Sequence, residues 1–316
     1  MKKVNIILCT YNGGRFLKEQ LESLLAQTYG NIDIYIKDDG STDNTIDIIS
    51  KTIEKNKTDK KIFLLSGKRN LKYPECFISS LIQSKAAGYY AFCDQDDIWN
   101  CNKIERAVNK LNRYAKKDIP LLYYSAVDYY NENMDFIRHS RFASSLSVKP
   151  EKLRLQQFLF GGEPLGMTFV FNHKVREALE KTHANGYRDF KDGFIKIYTA
   201  STGKIIYDPV PSAKYRRHAG ATTNSINPDS KIIRYIAMFK ELFLNKDALN
   251  PVSDIIDVLF ELFEIEILKE NIGILQLFHK PDTVQKRFKK VTYHGRYRNI
   301  LLDEIAYRFL FLIGRI

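Results

Sequence analysis

The sequence predicts an α/β protein in which a sheet is flanked by helices and followed by a C-terminal helical region. Three observations predict it. Strand-like and helix-like runs alternate at short spacing through the first third of the chain. Polar and acidic clusters stand directly after three of the predicted strands. After Asn224 the alternation gives way to helical apolar spacing, and the final segment is both basic and aromatic. Short strand–helix alternation argues for parallel strands joined by right-handed crossovers. In such sheets ligands sit at the carboxyl ends of the strands.

Val4–Thr10 is a short β-branched run and predicts the first strand. Asn12-Gly13-Gly14 turns the chain, and Phe16, Leu17, Leu21, Leu24 and Leu25 then recur at helical spacing. Ile32–Ile36 alternates as a strand that Asp38-Asp39-Gly40-Ser41 breaks, and Thr42-Asp43 is placed to cap a helix carrying Ile46, Ile49 and Ile53. Ile62–Leu65 is the third strand, Phe77–Ala87 the third helix and Tyr89–Cys93 the fourth strand. A helix from Asn100 to about Lys117 and one strand over Leu121–Tyr130 follow. Lys149–Phe160 reads as a helix, since Pro150 suits a first helical position. Gly166–Phe171 reads as strand, Lys174–Lys181 and Phe190–Thr199 as helices, and Lys204–Asp208 and Ala213–Arg217 as short strands. Asn227-Pro228 punctuates the chain, and Ile232–Leu244 and Ile255–Leu268 return to helical spacing.

Composition narrows the function classes. The 316 residues are those of an ordinary globular protein, 44% hydrophobic and 27% charged. No apolar run approaches the roughly 18 residues that span a bilayer. The N-terminus enters a strand at once and lacks a small-residue cleavage site, so no signal peptide is expected. Cys9, Cys76, Cys93 and Cys101 form no CxxC pair, and reduced thiols in a cytosolic protein are the expectation. The net charge of +12 calls for an anionic partner: nucleic acid, a membrane surface or a phosphorylated substrate. No RNP, zinc-finger or helix-turn-helix signature is present, and nucleic acid is not expected.

Two acidic clusters follow predicted strands. Asp94-Gln95-Asp96-Asp97 places three acids in four residues. Such acids repel one another unless a cation or basic groups offset them. Hard divalent ions take oxygen ligands and share them with substrate phosphates, so metal–diphosphate binding fits the position. Helix capping by Asp97 or Asn100 accounts for one acid and not three. Asp38-Asp39-Gly40-Ser41-Thr42-Asp43 reads equally as a turn with a cap and as a strand-end carboxylate that accepts hydrogen bonds from a base or ribose. There is no GxGxxG and no GxxxxGK[ST], which excludes a nicotinamide fingerprint and a P-loop.

Ile6-Ile7-Leu8-Cys9-Thr10-Tyr11-Asn12, Gln27-Thr28-Tyr29, Lys37-Asp38-Asp39-Gly40-Ser41-Thr42-Asp43 and Phe92-Cys93-Asp94-Gln95-Asp96-Asp97-Ile98-Trp99 resemble, as an ordered set, the motifs of family 2 glycosyltransferases. The last is most similar to bacterial transferases of the rhamnosyltransferase type that build surface polysaccharides. The resemblance implies a GT-A fold with a mixed sheet, a nucleotide-diphosphate sugar donor and a divalent cation, Mn²⁺ or Mg²⁺. It implies that Thr10, Tyr11, Asn12 and Asp39 hold the nucleotide. Asp94 and Asp96 become the DxD acids, Asp96 nearest the metal, and Asp97 faces the donor sugar or phosphate. Lys68 and Arg69 fall where the family often supplies groups near the nucleotide. Cys76 departs from the Asn that relatives often carry.

In the second half, Gly166-Met167-Thr168 is similar to the acceptor-side segment of the family. Phe190-Lys191-Asp192-Gly193-Phe194 resembles a helix-opening motif, often His-Asp-Trp, whose aspartate is the catalytic base. Asp192 takes that role, with Asp189 its neighbouring competitor; a helix N-cap at either is the plainer alternative. Tyr215-Arg216-Arg217-His218 resembles a Tyr-Arg-x-His segment, which implies His218 as a metal ligand and Arg216 and Arg217 as diphosphate contacts. The resemblance thus implies an inverting transferase moving rhamnose, from dTDP-rhamnose, or a hexose, from a UDP-hexose, to a saccharide or lipid-linked acceptor. A non-catalytic nucleotide-sugar-binding or scaffold subunit is the alternative.

The expected division is a catalytic domain over 1–226, with a nucleotide-sugar half at 1–117 and an acceptor half at 118–226, and a helical region over 227–316. From Thr283 to Ile316 eight Lys and Arg face two acids, an excess of +6 in 34 residues. Leu301, Leu302, Ile305, Phe309, Leu312 and Ile313 recur there at helical spacing. A basic amphipathic helix against the inner face of the cell membrane fits, and so does a helix docked on the core or on a second copy in a homodimer.

Overall fold

The computed structural model describes residues 1–67, 70–140, 153–160, 165–187, 191–218, 250–298 and 300–315. These group into two compact units that the chain enters more than once. The first draws on 1–145, 164–195 and 203–218, and the second on 146–163, 196–202 and 219–316. No single cut in the chain reproduces that grouping. The boundary expected near Ile226, and the helix expected over Ile232–Leu244, lie outside the described residues.

The first unit is built on a seven-stranded sheet. Its strands are β1 (Val4–Thr10), β2 (Ile32–Asp38), β3 (Lys61–Leu64), β4 (Tyr89–Cys93), β6 (Leu121–Ser125), β9 (Val170–Asn172) and β10 (Lys204–Asp208), in the order β10-β6-β9-β4-β1-β2-β3. β1 lies between β2 and β4 and runs parallel to both, with Leu8 level with Ile36 and Cys93. Near-continuous apolar runs suit this place, because a parallel strand is buried on both faces. Val4, Ile6, Ile7, Leu8, Ile34 and Ile36 are all fully buried. β9 runs antiparallel to β4 and β6, which makes the sheet mixed. Helices α1 (Leu17–Leu25), α2 (Thr45–Lys55), α3 (Glu75–Gln83), α4 (Lys103–Asn112) and α6 (His173–Ala184) flank it, and each of α1, α2 and α3 joins consecutive parallel strands.

A second, four-stranded sheet has the order β5-β11-β7-β8, from β5 (Ile98–Trp99), β7 (Asp128–Tyr130), β8 (Phe136–His139) and β11 (Ala213–Arg216). It corrects the reading of Leu121–Tyr130 as one strand. At Ala126 the backbone exchanges partners: its amide bonds Asp208 O beside β10, while its carbonyl accepts from Ser212 just before β11. The chain thus passes from one sheet to the other. The expected strand at Gly166–Phe171 likewise divides into a 3₁₀ turn, Gly166–Thr168, and β9.

Two buried contacts of charged side chains tie the elements. Asp208, at the end of β10, accepts from Arg106 Nε at 3.0 Å and from Tyr123 Oη at 2.8 Å. At the start of α4, Lys103 is fully buried, with Nζ 2.6 Å from Met167 O and 3.4 Å above the Trp99 ring. Burial pulls its pKa down to about 7 against the nearby Cys93, Asp97 and Asp94.

The second unit holds α5 (Leu155–Phe160), the later turns of α7 (Asp192–Thr202), α8 (Asn250–Phe263), α9 (Lys269–Phe278), α10 (Val284–Thr292) and α11 (Leu301–Leu312). Phe160, Phe278, Tyr297 and Phe311 all touch one another, with ring centroids 4.9–5.8 Å apart. Tilted and edge-on pairs of this kind add about 0.5–1.5 kcal/mol each beyond area burial. Much of the tail's positive charge is internally paired: Arg287 and Lys290 with Asp282, Arg298 with Asp303, and Arg308 with Glu304. Leu301, Leu302, Ile305, Phe309 and Leu312 on α11, and Ile313 just after it, are exposed. Among the described residues no helix is long and apolar enough to cross a membrane.

Lys103 generates a pH test. Its folded pKa of about 7 lies below the ordinary lysine value, so the unfolded chain binds the extra proton between about pH 7 and 10. Its penalty to stability is complete below about pH 7 and disappears as pH rises toward 10. Chemical denaturation between pH 7.5 and 9.5 should therefore show a positive stability slope that Lys103→Met reduces, by at most about 1.4 kcal/mol per pH unit. Equal slopes in the two proteins would refute this titration.

Candidate active site

Three strand ends and the loops that follow them converge. At the end of β1, Thr10 Oγ1 donates to Asp38 Oδ1 at 3.0 Å, and Thr10 O accepts the Asp39 amide at 2.8 Å. Tyr11 is half exposed, and its backbone is held on both sides by Gln95: Tyr11 N donates to Oε1 at 2.9 Å, and Nε2 donates to Tyr11 O at 3.1 Å. Asn12 adopts a left-handed backbone, φ 47°, which asparagine tolerates, and its Oδ1 accepts the Thr42 amide at 2.8 Å. Asp43 accepts the Thr45 hydroxyl and the Gly14 and Thr45 amides, and these bonds hold its pKa down against desolvation.

Asp39 is buried, and each of its carboxylate oxygens already accepts a backbone amide, Leu71 N and Lys72 N, both at 2.7 Å. Asn70 and Lys72 have φ of 59° and 63°. A non-glycine residue in that region is disfavoured by roughly 1–2 kcal/mol, and charge-assisted bonds to Asp39 offset the cost. The expected nucleotide contact of Asp39 thus falls to the oxygens' remaining lone pairs. Arg69 and Lys68 lie outside the described residues.

The acidic loop is positioned by the second sheet. β5 and β11 pair antiparallel, with Trp99 opposite Ala213 and Ile98 opposite Lys214. Two further steps along this register bring Asp96 level with Arg216, and His218 lies two residues on. Arg216 is 3% exposed: its amide donates to Asp97 Oδ1 and its Nε to Asp96 O, each at 3.0 Å. One terminal nitrogen donates to Glu132 O at 3.0 Å and the other pairs with Glu19. Every guanidinium nitrogen therefore has a protein acceptor. Arg216 braces the loop, and the bonds named use three of its five N–H donors. Arg217 donates its amide to Tyr130 O at 2.9 Å.

The three loop acids occupy different environments. Asp97 is 1% exposed; burial, then Asp96 and Asp94, push its pKa well up, opposed by the Arg216 amide and Lys103. Asp96 is also raised, by desolvation and then by Asp94, with His218 opposing. His218 Nε2 lies 2.8 Å from Asp96 Oδ2, and its ring packs on Phe16 with centroids 4.8 Å apart. Among the described residues no group of three or more His, Cys, Asp or Glu side chains stands ready as a metal cage. An imidazole nitrogen and a carboxylate oxygen in contact, with Asp94 in electrostatic range, still fit a hard divalent ion that completes its shell with substrate phosphates.

Asp192 opens α7. A Cβ built at Gly166 would fall 1.9 Å from Asp192 Oδ2, so the absence of a side chain at 166 is what admits the carboxylate. Lys191 Nζ lies 3.6 Å from Asp192 Oδ1. Asp192 and Asp94 both act on Lys191 and on Tyr73, whose pKa rises to about 12 through desolvation and these two acids. The acidic loop and Asp192 therefore share one electrostatic neighbourhood. Asp189 lies outside the described residues. Sequence reasoning missed Gly166 as a steric partner, Gln95 as the support of Tyr11, and Lys103. Gln95 and Gly166 had a signal, their places inside the acidic motif and the acceptor-side segment. Gly166→Ala should displace the Asp192 carboxylate and lower turnover by at least about tenfold, with thermal stability little changed. Full activity in the alanine variant would contradict this packing.

The sequence profile described as Glycosyl transferase family 2 matches residues 5–175. An uncharacterized glycosyltransferase of Rickettsia prowazekii is 30% identical over 227 residues, which are 70% of this chain and 66% of that protein. One from Haemophilus influenzae is 37% identical over 113 residues, 35% of this chain and 33% of that protein. The chain thus spans about two thirds or less of the length of these relatives. Among solved structures, TarS 1-349 of S. aureus in complex with UDP-GlcNAc is similar in fold, with a TM-score of 0.54 at 15% identity, over 99% of this chain and 89% of that one. Because the profile covers more than half of the chain and its matched residues carry β1, β2 and the acidic loop of the mixed sheet, the protein belongs to glycosyl transferase family 2.

Proposed function

We propose that the chain is an inverting, metal-dependent glycosyltransferase that moves a sugar from a nucleotide-diphosphate donor to a saccharide acceptor. The observation that carries this reading is that Asp192 and Asp94 both act on Lys191, while Asp96, two residues from Asp94, meets His218. The UDP-GlcNAc bound by TarS supports a nucleotide sugar as the donor class. Within that class the wording of the acidic motif favours dTDP-rhamnose, with UDP-hexoses next. The acceptor we assign is a lipid-linked oligosaccharide of surface polysaccharide synthesis.

Asp192, seated against Gly166, takes the proton of the acceptor hydroxyl as that oxygen attacks the anomeric carbon. Attack from the face opposite the leaving group inverts the centre and needs no covalent intermediate. Thr10 and Asn12 fix the turn after β1, and Tyr11, half exposed and held by Gln95, packs near the base. Arg217 follows the braced Arg216 and serves the diphosphate. Asp96 and His218, with Asp94 alongside, would hold a Mn²⁺ or Mg²⁺ ion that offsets charge on the leaving diphosphate.

For the C-terminal region we propose contact with an anionic lipid surface. The exposed stripe on α11 supports it, together with exposed Lys289 and Arg296 before that helix. Localisation at the inner face of the cell membrane follows from that reading.

Nucleotide-sugar turnover should require Mn²⁺ or Mg²⁺, vanish with EDTA, and fall by about 10²–10⁴-fold in Asp192→Asn. A metal-independent enzyme, or an Asn variant of full activity, defeats the corresponding assignment. In flotation assays the protein should bind vesicles containing anionic lipid, and Leu302→Glu with Ile305→Glu should abolish that binding. Equal flotation of both proteins, or of neither, overturns the lipid proposal.

A further inference from the structure

Lys191 replaces the residue that the resemblance leads one to expect before the base. It is 4% exposed. Its ammonium lies 3.7 Å from the centroid of the Phe77 ring and 5.0 Å from those of Tyr73 and Phe92. It pairs with Asp192 Oδ1 at 3.6 Å. A buried cation is costly unless it is compensated. A methionine would fill similar space without that cost, so packing alone does not account for a lysine here.

The charges around it account for it. Asp192 faces Lys191 from the start of α7, Asp94 from the end of β4, Tyr73 from the approach to α3 and Cys9 from β1. Desolvation raises the pKa of the Cys9 thiol and that of the Tyr73 hydroxyl, so both stay neutral near pH 7. Two carboxylates that share a neighbourhood disfavour each other's ionisation. The ammonium acts on both at once, while the faces of three rings add cation–π attraction.

We propose that Lys191 is the positioning residue of the base: a ring-caged ammonium that orients the Asp192 carboxylate, keeps it charged beside Asp94, and so readies it to accept a proton. The inference rests on Asp192 being the base. Lys191 acts through Asp192 and touches neither donor nor acceptor.

The test uses the full chain with saturating donor and Mn²⁺, comparing wild type, Lys191→Met, Lys191→Arg and Asp192→Asn. In Lys191→Met, kcat at pH 7 should fall at least about tenfold, and the acid limb of its pH profile should move up by about one unit or more. The donor KM should stay within about threefold of wild type. Lys191→Arg should restore the limb. If Lys191→Met does not fold, Lys191→Gln carries the same readout. An unmoved limb, or a change confined to donor KM, overturns the role of Lys191 while leaving an inactive Asp192→Asn to uphold the base. An active Asp192→Asn overturns both.

Discussion

Three carboxylates within four residues at the end of a buried strand form the constraint that the rest of the first unit answers. Left alone, Asp94, Asp96 and Asp97 would repel one another and resist burial. Arg216 answers first, with its backbone amide on the Asp97 carboxylate and its side chain fixing the loop through the backbone carbonyls of Asp96 and Glu132 and the Glu19 carboxylate. Lys103 answers from below, where its field opposes the protonation of Asp97. The second sheet exists around this arrangement: β5 is the two residues that follow the acids, and β11 ends on the arginine that holds them.

That division of labour separates structure from chemistry within a few residues. Asp97 and Arg216 are buried and hold the loop's shape. Asp94 and Asp96 remain partly accessible beside His218. Adjacent residues along an extended strand point to opposite sides, so a pair written Arg216-Arg217 need not serve one purpose. The first arginine is buried, and the second, just past β11, is half-buried.

Much of the fold was legible because its central strands are unambiguous. β1, β2 and β4 are apolar runs bounded by turn residues, and their carboxyl ends carry the polar clusters. The break at Ala126 was not legible, since its partners Asp208 and Ser212 lie more than 80 residues away and nothing local disfavours a continuous strand. The same holds within the candidate site. Asp94, Asp96, Asp192 and His218 stand out by position and wording. Lys103 and Gly166 acquire meaning only through Met167 and Asp192, which tertiary packing brings to them. The tail illustrates a different limit: its +6 is real, yet counting charge says nothing of which cations already face Asp282, Asp303 or Glu304.

The weaving of the chain between its two units bears on how such proteins diversify. The second unit takes in 146–163 and 196–202 as well as everything after 218. Within it Tyr198 bonds Glu266, and Ser201 O accepts the Leu268 amide. Recombination that grafts a foreign C-terminal segment after residue 218 therefore inherits only part of the partner's interior, and the later turns of α7 meet strangers. Replacement of this chain's C-terminal region would have to carry three separated stretches together, or be accompanied by compensating change along α7. The C-terminal region is thus an integral part of a discontinuous unit rather than a self-contained cassette.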